Sequence, residues 1–232
     1  MAKQTLLLAN DLDILNEVGR WKITNLQNLH QRVAPSMTFS PFARRIKKLE
    51  RLGLVKSFNL IDRKRKYLGL TDNGARISCF KNVYDEKSDQ VNHDLITAHV
   101  LKELLELEDI IGGSVYHEQG LSVAPDATAY IRRAGKSLCM AIEVELTQKS
   151  KRRFMHKFER YGEGQDFHFA FYVFNSYGVY RAYVEGLRQQ AAVVQDKIIL
   201  CLDEKLNFKC FDYRNARYWY QGRVQTYAEL FE

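Results

Sequence analysis

No stretch of this 232-residue chain approaches the roughly 18 consecutive apolar residues of a membrane-spanning helix, which excludes a helical transmembrane protein. The opening MAKQTLLLANDLD has too short an apolar core for a secretory signal, and acidic residues follow at once. Cysteine is sparse: Cys79, Cys139, Cys201 and Cys210 are far apart and form no CxxC pair, so the expectation is reduced, mostly buried thiols in a cytoplasmic protein. There is no glycine-rich phosphate loop of the P-loop or dinucleotide type, which leaves nucleotide hydrolysis without support. Internal repeats and low-complexity tracts are absent. The 6 histidines are scattered, His93, His117, His156 and His168 among them, and none has the close-spaced neighbours a zinc site needs.

What the chain does have is an uneven charge. Residues 1–85 carry 16 Lys and Arg against 7 Asp and Glu, a net of +9, whereas the remainder carries 19 against 21, a net of −2. The overall +7 therefore sits on the N-terminal third, which points to a polyanionic partner engaged by that third.

Local patterns in that third follow one order. Asn10 reads as a cap for an amphipathic helix, and 24–30 fits a second short helix. Ser40 can cap a third, with Pro41 in its first position and Gly53 at its end. Phe42, Ile46, Leu49 and Leu52 make its apolar face, and Arg44, Arg45, Lys47, Lys48 and Arg51 much of the other. LVKSFNL and KYLGL read as two strands around a basic tip, Arg63, Lys64, Arg65 and Lys66, and a helix starts at Thr71 or Asp72. This order resembles the winged helix-turn-helix domains of bacterial regulators. The resemblance implies a cationic helix in the major groove of DNA and a wing on the phosphates or the minor groove. Ser36, Thr38, Ser40 and Arg44 are the positions to suspect for base reading. A solvated basic face, or a winged domain used for protein contact, is the alternative.

Residues 81–89 (KNVYDEKSD) read as a linker, placing the boundary between 1–85 and 86–232. A long helix over 90–108 would bury Val91, Leu95, Ala98, His99, Leu101, Leu104 and Leu105. After Gly112 and Gly113 the chain alternates: strands at SVYHEQ, DATAYIRR and SLCMAIEVEL, a basic helix from Ser150, a strand HFAFYVFN, a helix over SYGVYRAYVEGLRQQAA, and a strand KIILCL. The aromatic tail from Asn207 stays unassigned. Within AIEVEL, Ile142, Val144 and Leu146 point one way and Glu143 and Glu145 the other, two like charges roughly 7 Å apart. Such a pair is costly unless a cation lies near or the face is solvated.

The order α-β-β-β-α-β-α-β, with Pro125-Asp126 on one strand and Glu143-Val144-Glu145 on the next, resembles the PD-(D/E)XK core of restriction endonucleases. The implied fold is α+β, a mixed sheet flanked by helices. Asp126 and Glu143, with the Val144 carbonyl and Glu145, would bind Mg²⁺ or Mn²⁺, and the metal would activate a water at a phosphodiester. Glu145 departs from the usual lysine, and Lys149 or Lys157 would supply the missing charge. Lys151, Arg152 and Arg153 extend that basic run, as a solvated helix start or a phosphate grip. Glu103, Glu106 or Glu118 could add a further acidic ligand, and Tyr161 could orient a phosphate or attack it, though a core role fits it better.

Over nearly its whole length, through Asn92-His93-Asp94-Leu95, the PDA segment and Lys157-Phe158-x-x-Tyr161, the chain resembles the replication-relaxation proteins of plasmids, and among them MobC-type relaxases. That implies nicking at a plasmid transfer origin, with DNA and a conjugative coupling or accessory protein as partners. It also implies none of the tyrosine and histidine-triad chemistry of other relaxases, in keeping with the absence of a His-hydrophobic-His motif. The alternative is a non-catalytic DNA-binding regulator of replication or transfer on a degenerate nuclease fold, or an ordinary regulator whose C-terminal part senses a ligand or dimerises.

Overall fold

The structure is a computed structural model that describes residues 7–59, 66–84, 90–115 and 123–231. The chain divides into two compact units, Met1–Val91 and Asn92–Glu232.

In the first unit, helix α1 spans Ala9–Trp21. Its cap is Leu8, not Asn10: the Leu8 amide donates to the Asp11 carboxylate at 3.0 Å, and Asn10 lies inside the helix. Thr24–Asn25 forms a short strand, β1, and α2 begins only at Leu26, running to Val33, with the Asn25 side chain accepting the Asn28 amide. Helix α3, Phe39–Arg51, is capped at Thr38, so Ser40 and Pro41 lie within its first turn. Pro41 is tolerated there because first-turn amides have no helical acceptor. Strands β2 (Val55–Asn59) and β3 (Lys66–Leu70) pair antiparallel, and β1 adds to β3, giving the order β1-β3-β2. Helix α4, Asp72–Ile77, starts where the Thr71 hydroxyl accepts the Gly74 amide. Ile14, Leu15, Val18, Leu29, Phe42, Ile46, Leu49, Leu68 and Leu70 close one core. The unit therefore has the order α1-β1-α2-α3-β2-β3-α4 with a three-stranded antiparallel sheet. Residues 81–84, read as linker, belong to this unit: Tyr84 is buried and stacks on Phe58 at 4.8 Å.

The second unit opens with α5, Val91–Leu104. It is shorter than expected, and its buried stripe is Asp94, Ile96, Thr97, Val100, Leu101 and Leu104, about a third of a turn from the stripe read off the sequence. The first strand, β4, is Ile110–Ser114 and contains both glycines rather than following them. A Cβ on Gly113 would stand 2.5 Å from the Thr128 carbonyl and 2.8 Å from a Leu101 methyl, so glycine lets helix and neighbouring strand close over this strand. Of the expected strand SVYHEQ, Ser114 ends β4, and Tyr116, His117, Glu118 and Gln119 lie outside the described residues.

Strands β5 (Ala127–Arg133) and β6 (Lys136–Glu145) form a hairpin through Ala134 and Gly135, both at positive φ. Then follow α6 (Lys151–Glu163), β7 (Phe169–Phe174), α7 (Tyr177–Leu187), α8 (Ala192–Gln195) and β8 (Ile198–Leu202). The aromatic tail adds the hairpin β9 (Arg217–Tyr220) and β10 (Arg223–Gln225) and ends in α9, Tyr227–Phe231. The 7-stranded sheet runs β10-β9-β8-β7-β6-β5-β4, parallel at β6-β7 and β7-β8 and antiparallel elsewhere. Residues of α6 and α7 bury one face with Phe154, Phe158, Tyr172, Phe174 and Tyr183. Parallel central strands covered in this way read as continuous apolar runs, as FAFYVF and IILCL do. Of the four cysteines only Cys201 is buried; Cys79 is exposed and the other two are intermediate, so the expectation of mostly buried thiols is not met. Among the described residues no helix is long and apolar enough to cross a membrane.

Candidate functional site

Strand β6 lies inside the sheet with β5 on one side and β7 on the other. Its acidic face is therefore not solvated: Glu143 is 0% exposed and Glu145 2%. The sequence pattern correctly separates the two faces, but the helix layer turns the polar one into interior. Both acids must then find donors, because a buried unpaired carboxylate costs several kcal/mol.

They find them in α6 and in the segment before it. Lys157 Nζ donates to Glu143 Oε2 at 2.5 Å, and the Tyr161 hydroxyl donates to Glu143 Oε1. Residues 157 and 161 are four apart, so both side chains leave the same face of α6. Lys149 Nζ donates to Glu145 Oε1 at 2.8 Å, and the Tyr183 hydroxyl of α7 lies beside the same acid. Burial pushes Glu143 up to about 7, against the pull of Lys157, and the Asp126 charge adds to the rise.

Asp126 enters from the next strand. The β5–β6 ladder ends at the pair Ala127–Ile142, with the Asp126 amide still bonded to the Ile142 carbonyl at 3.0 Å. Beyond it the backbone groups of Val144 have no strand partner on that side, and buried backbone groups need one. The Asp126 carboxylate accepts the Val144 N–H at 2.8 Å, and His93 Nε2 lies 2.9 Å from the Val144 carbonyl. The same nitrogen is 3.4 Å from Asp126 Oδ2. Burial opposes the charge on His93, yet the carboxylates of Asp126 and Asp94 prevail and raise the imidazole to about 10. Burial likewise opposes ionisation of Asp126, but the His93 hydrogen bond and charge hold it below the ordinary carboxylate range.

The predicted residues thus fall into groups. Asp126, Glu143, Val144, Glu145, Lys149 and Lys157 meet at one end of β5 and β6, and two residues weighed only lightly from sequence, His93 and Tyr161, join them. For His93 the signal was the NHDL segment; for Tyr161 it was its spacing from Lys157. Elsewhere, Lys151 bonds Gln189 at 3.0 Å, while Arg152 and Arg153 are exposed. Glu103 pairs with Lys102, Glu106 is exposed, and Glu118 lies outside the described residues. His168 is exposed and precedes β7, its Nδ1 accepting the Cys139 amide at 3.0 Å. Among the described residues no group of three or more His, Cys, Asp or Glu is arranged to hold a metal ion.

On α3, Ser40, Arg44, Lys47 and Arg51 form an exposed row at spacings of four, three and four, preceded by exposed Ser36 and Thr38. Arg45 and Lys48 lie on the adjoining row and turn inward: Arg45 Nε is 2.6 Å and Lys48 Nζ 3.6 Å from the Asp11 carboxylate. Lys66 pairs with Glu50 at 2.8 Å, and Arg63, Lys64 and Arg65 lie outside the described residues.

No protein-family profile matches the chain, and no curated protein does. Among solved structures, the zinc-responsive MarR family member ZitR of Lactococcus lactis aligns at 15% identity and a TM-score of 0.30, over 45% of this chain and 76% of that one. A likeness of that degree is no guide to fold or activity.

Proposed function

We propose that the chain is a DNA-binding protein whose second unit hydrolyses a phosphodiester of DNA, as a nickase of the relaxase kind. The observation that carries this is the placing of Asp126 against the backbone of β6 at Val144, next to Glu143, with Lys157 bonded to Glu143. Two acids at the same end of neighbouring antiparallel strands, inside the order α5-β4-β5-β6-α6-β7, support a PD-(D/E)XK reading.

The donor set suits Mg²⁺ or Mn²⁺ in kind: the carboxylates of Asp126 and Glu143 and the Val144 carbonyl are hard oxygen ligands, and Mg²⁺ needs only one or two carboxylates with water and phosphate completing its shell. Around those oxygens stand protein groups: His93 at the Val144 carbonyl, and Lys157 and Tyr161 at Glu143. A bound divalent ion would polarise the phosphate and lower the pKa of a water. Lys157, about a quarter exposed, can turn from Glu143 to a phosphate oxygen, and Tyr161 then keeps Glu143 in place. Lys149 neutralises Glu145, which stands where the nuclease pattern has lysine. The winged unit would present Ser40, Arg44, Lys47 and Arg51 to the duplex, with Arg63 to Lys66 reaching phosphates.

A plasmid transfer origin as substrate, a conjugative coupling or accessory protein as partner, and a cytoplasmic location belong to this proposal through the relaxase resemblance. The second reading, a regulator on an inactive nuclease fold, draws on the full burial of Glu143 and on Glu145 in the lysine position. Nicking of supercoiled plasmid carrying the gene's own neighbourhood, with Mg²⁺ or Mn²⁺, separates the two. Open circles formed by wild type and abolished in Glu143→Ala, with DNA affinity retained, are expected. Binding without any cutting by wild type would leave the regulator.

A further inference from the structure

Five of the cations in the first unit lie along α3, but they are not equivalent. Arg44, Lys47 and Arg51 are exposed, whereas the Arg45 side chain is 16% exposed and meets a carboxylate that is 0% exposed. Asp11 sits in the first turn of α1, where it also takes the Leu8 amide. A buried ion pair of this kind adds little net stability over an apolar pair of the same shape. Its consequence here is different: it withdraws one full cation, and part of a second in Lys48, from the helix that the proposed function places on DNA.

From this geometry we infer that Asp11 is a specificity-determining positioning residue, which keeps Arg45 and Lys48 off the phosphate backbone and so restrains sequence-independent binding to DNA. Phosphate contacts give affinity without sequence information, and each contact steepens the salt dependence of binding by about 0.9 in log–log slope. A helix with all five cations free would grip any duplex. With Asp11 in place, the exposed row Ser40, Arg44, Lys47 and Arg51 dominates the contact. The inference rests on the proposed winged-helix function.

The test uses the full chain and a fluorescently labelled random-sequence duplex, titrated over a range of KCl concentrations. Asp11→Asn retains an acceptor for the Leu8 amide but drops the charge. It should tighten binding several-fold at low salt and steepen the slope by roughly one to two phosphate equivalents. Asp13→Asn, an exposed neighbour on α1, makes the same charge change without freeing Arg45 and should leave the slope unaltered. A second comparison does not depend on how Asp11→Asn folds: Lys47→Gln should lose about 0.9 of slope while Arg45→Gln loses none. Equal slopes for Asp11→Asn and wild type, or equal losses for Arg45→Gln and Lys47→Gln, would overturn the inference and leave DNA binding standing. Absence of duplex binding by wild type at low salt would overturn both.

Discussion

Replacing Lys157 by Met removes the cation 2.5 Å from a carboxylate that has no exposed surface. Orphaning a buried charge typically costs about 3–5 kcal/mol. Here the acid has an escape, because burial already pushes Glu143 up to about 7 with the lysine present. Without Lys157 the carboxyl moves higher still and is buried as the neutral acid. A glutamate in the unfolded chain ionises near about 4.3, so wild type itself loses stability as pH rises from there towards 7 and then levels off. The variant continues to fall above 7, where wild type holds an ionised Glu143 and the variant must keep a proton. The difference between them should be close to nil at pH 6. It should grow on the order of 1 kcal/mol per pH unit, to roughly 1 kcal/mol at pH 8 and about 2–3 kcal/mol at pH 9. Urea unfolding at these pH values, in a Trp21→Phe background so that buried Trp219 reports on the second unit, measures it directly. A pH-independent loss, or one larger at pH 6 than at pH 9, would refute the account of Glu143 as an acid held near its titration point.

Two further outcomes can be checked without DNA. His93 should titrate by NMR far above the ordinary histidine range, near about 10, with Asp126→Asn bringing it down. Because its folded pKa lies above the unfolded one, its contribution to stability is complete below about 6.5 and is lost as pH climbs through about 10; an inflection near 6.5 in the wild-type protein would remove the His93–Asp126 contact from consideration. In the first unit, Gly74→Ala places a Cβ 1.9 Å from the Leu54 carbonyl oxygen. That clash is with backbone and should cost about 2–3 kcal/mol, lowering the thermal midpoint read from Trp21; an unchanged midpoint would refute the close packing of α4 on Leu54.

How much could be read in advance differs between the two units. The N-terminal third announces itself because its signals are local: apolar spacing along α3, the basic row beside it, the Thr71 cap and the strand pair. Its errors were at helix starts: the Leu8 amide meets the Asp11 carboxylate at the start of α1 where Asn10 was expected to cap, and α2 starts at Leu26 after an Asn25 cap, not at Thr24. Tyr84 was taken for linker because nothing near it in sequence indicates that Phe58 and Gly69 leave room for a ring. In the second unit the strands β5, β6, β7 and β8 were legible from alternation and apolar runs. Strand β4 was not, since its two glycines read as a break until α5 and β5 close over them.

Sequence alone therefore determined the main helices and the strands β2, β3 and β5 to β8, the basic bias of the first third, and the set Asp126, Glu143, Glu145, Lys149 and Lys157 as chemistry worth locating. Period-two alternation told which β6 residues share a face. It could not tell that this face is interior, because burial depends on α6 and α7 folding back over it from positions later in the chain. Only the tertiary structure paired Lys157 and Tyr161 with Glu143, brought His93 from α5 to the Val144 carbonyl, and turned Arg45 towards Asp11. Each of those contacts spans 14 to 51 residues of chain. Such pairs form because a buried or unpaired polar group takes whatever donor or acceptor packing brings within reach.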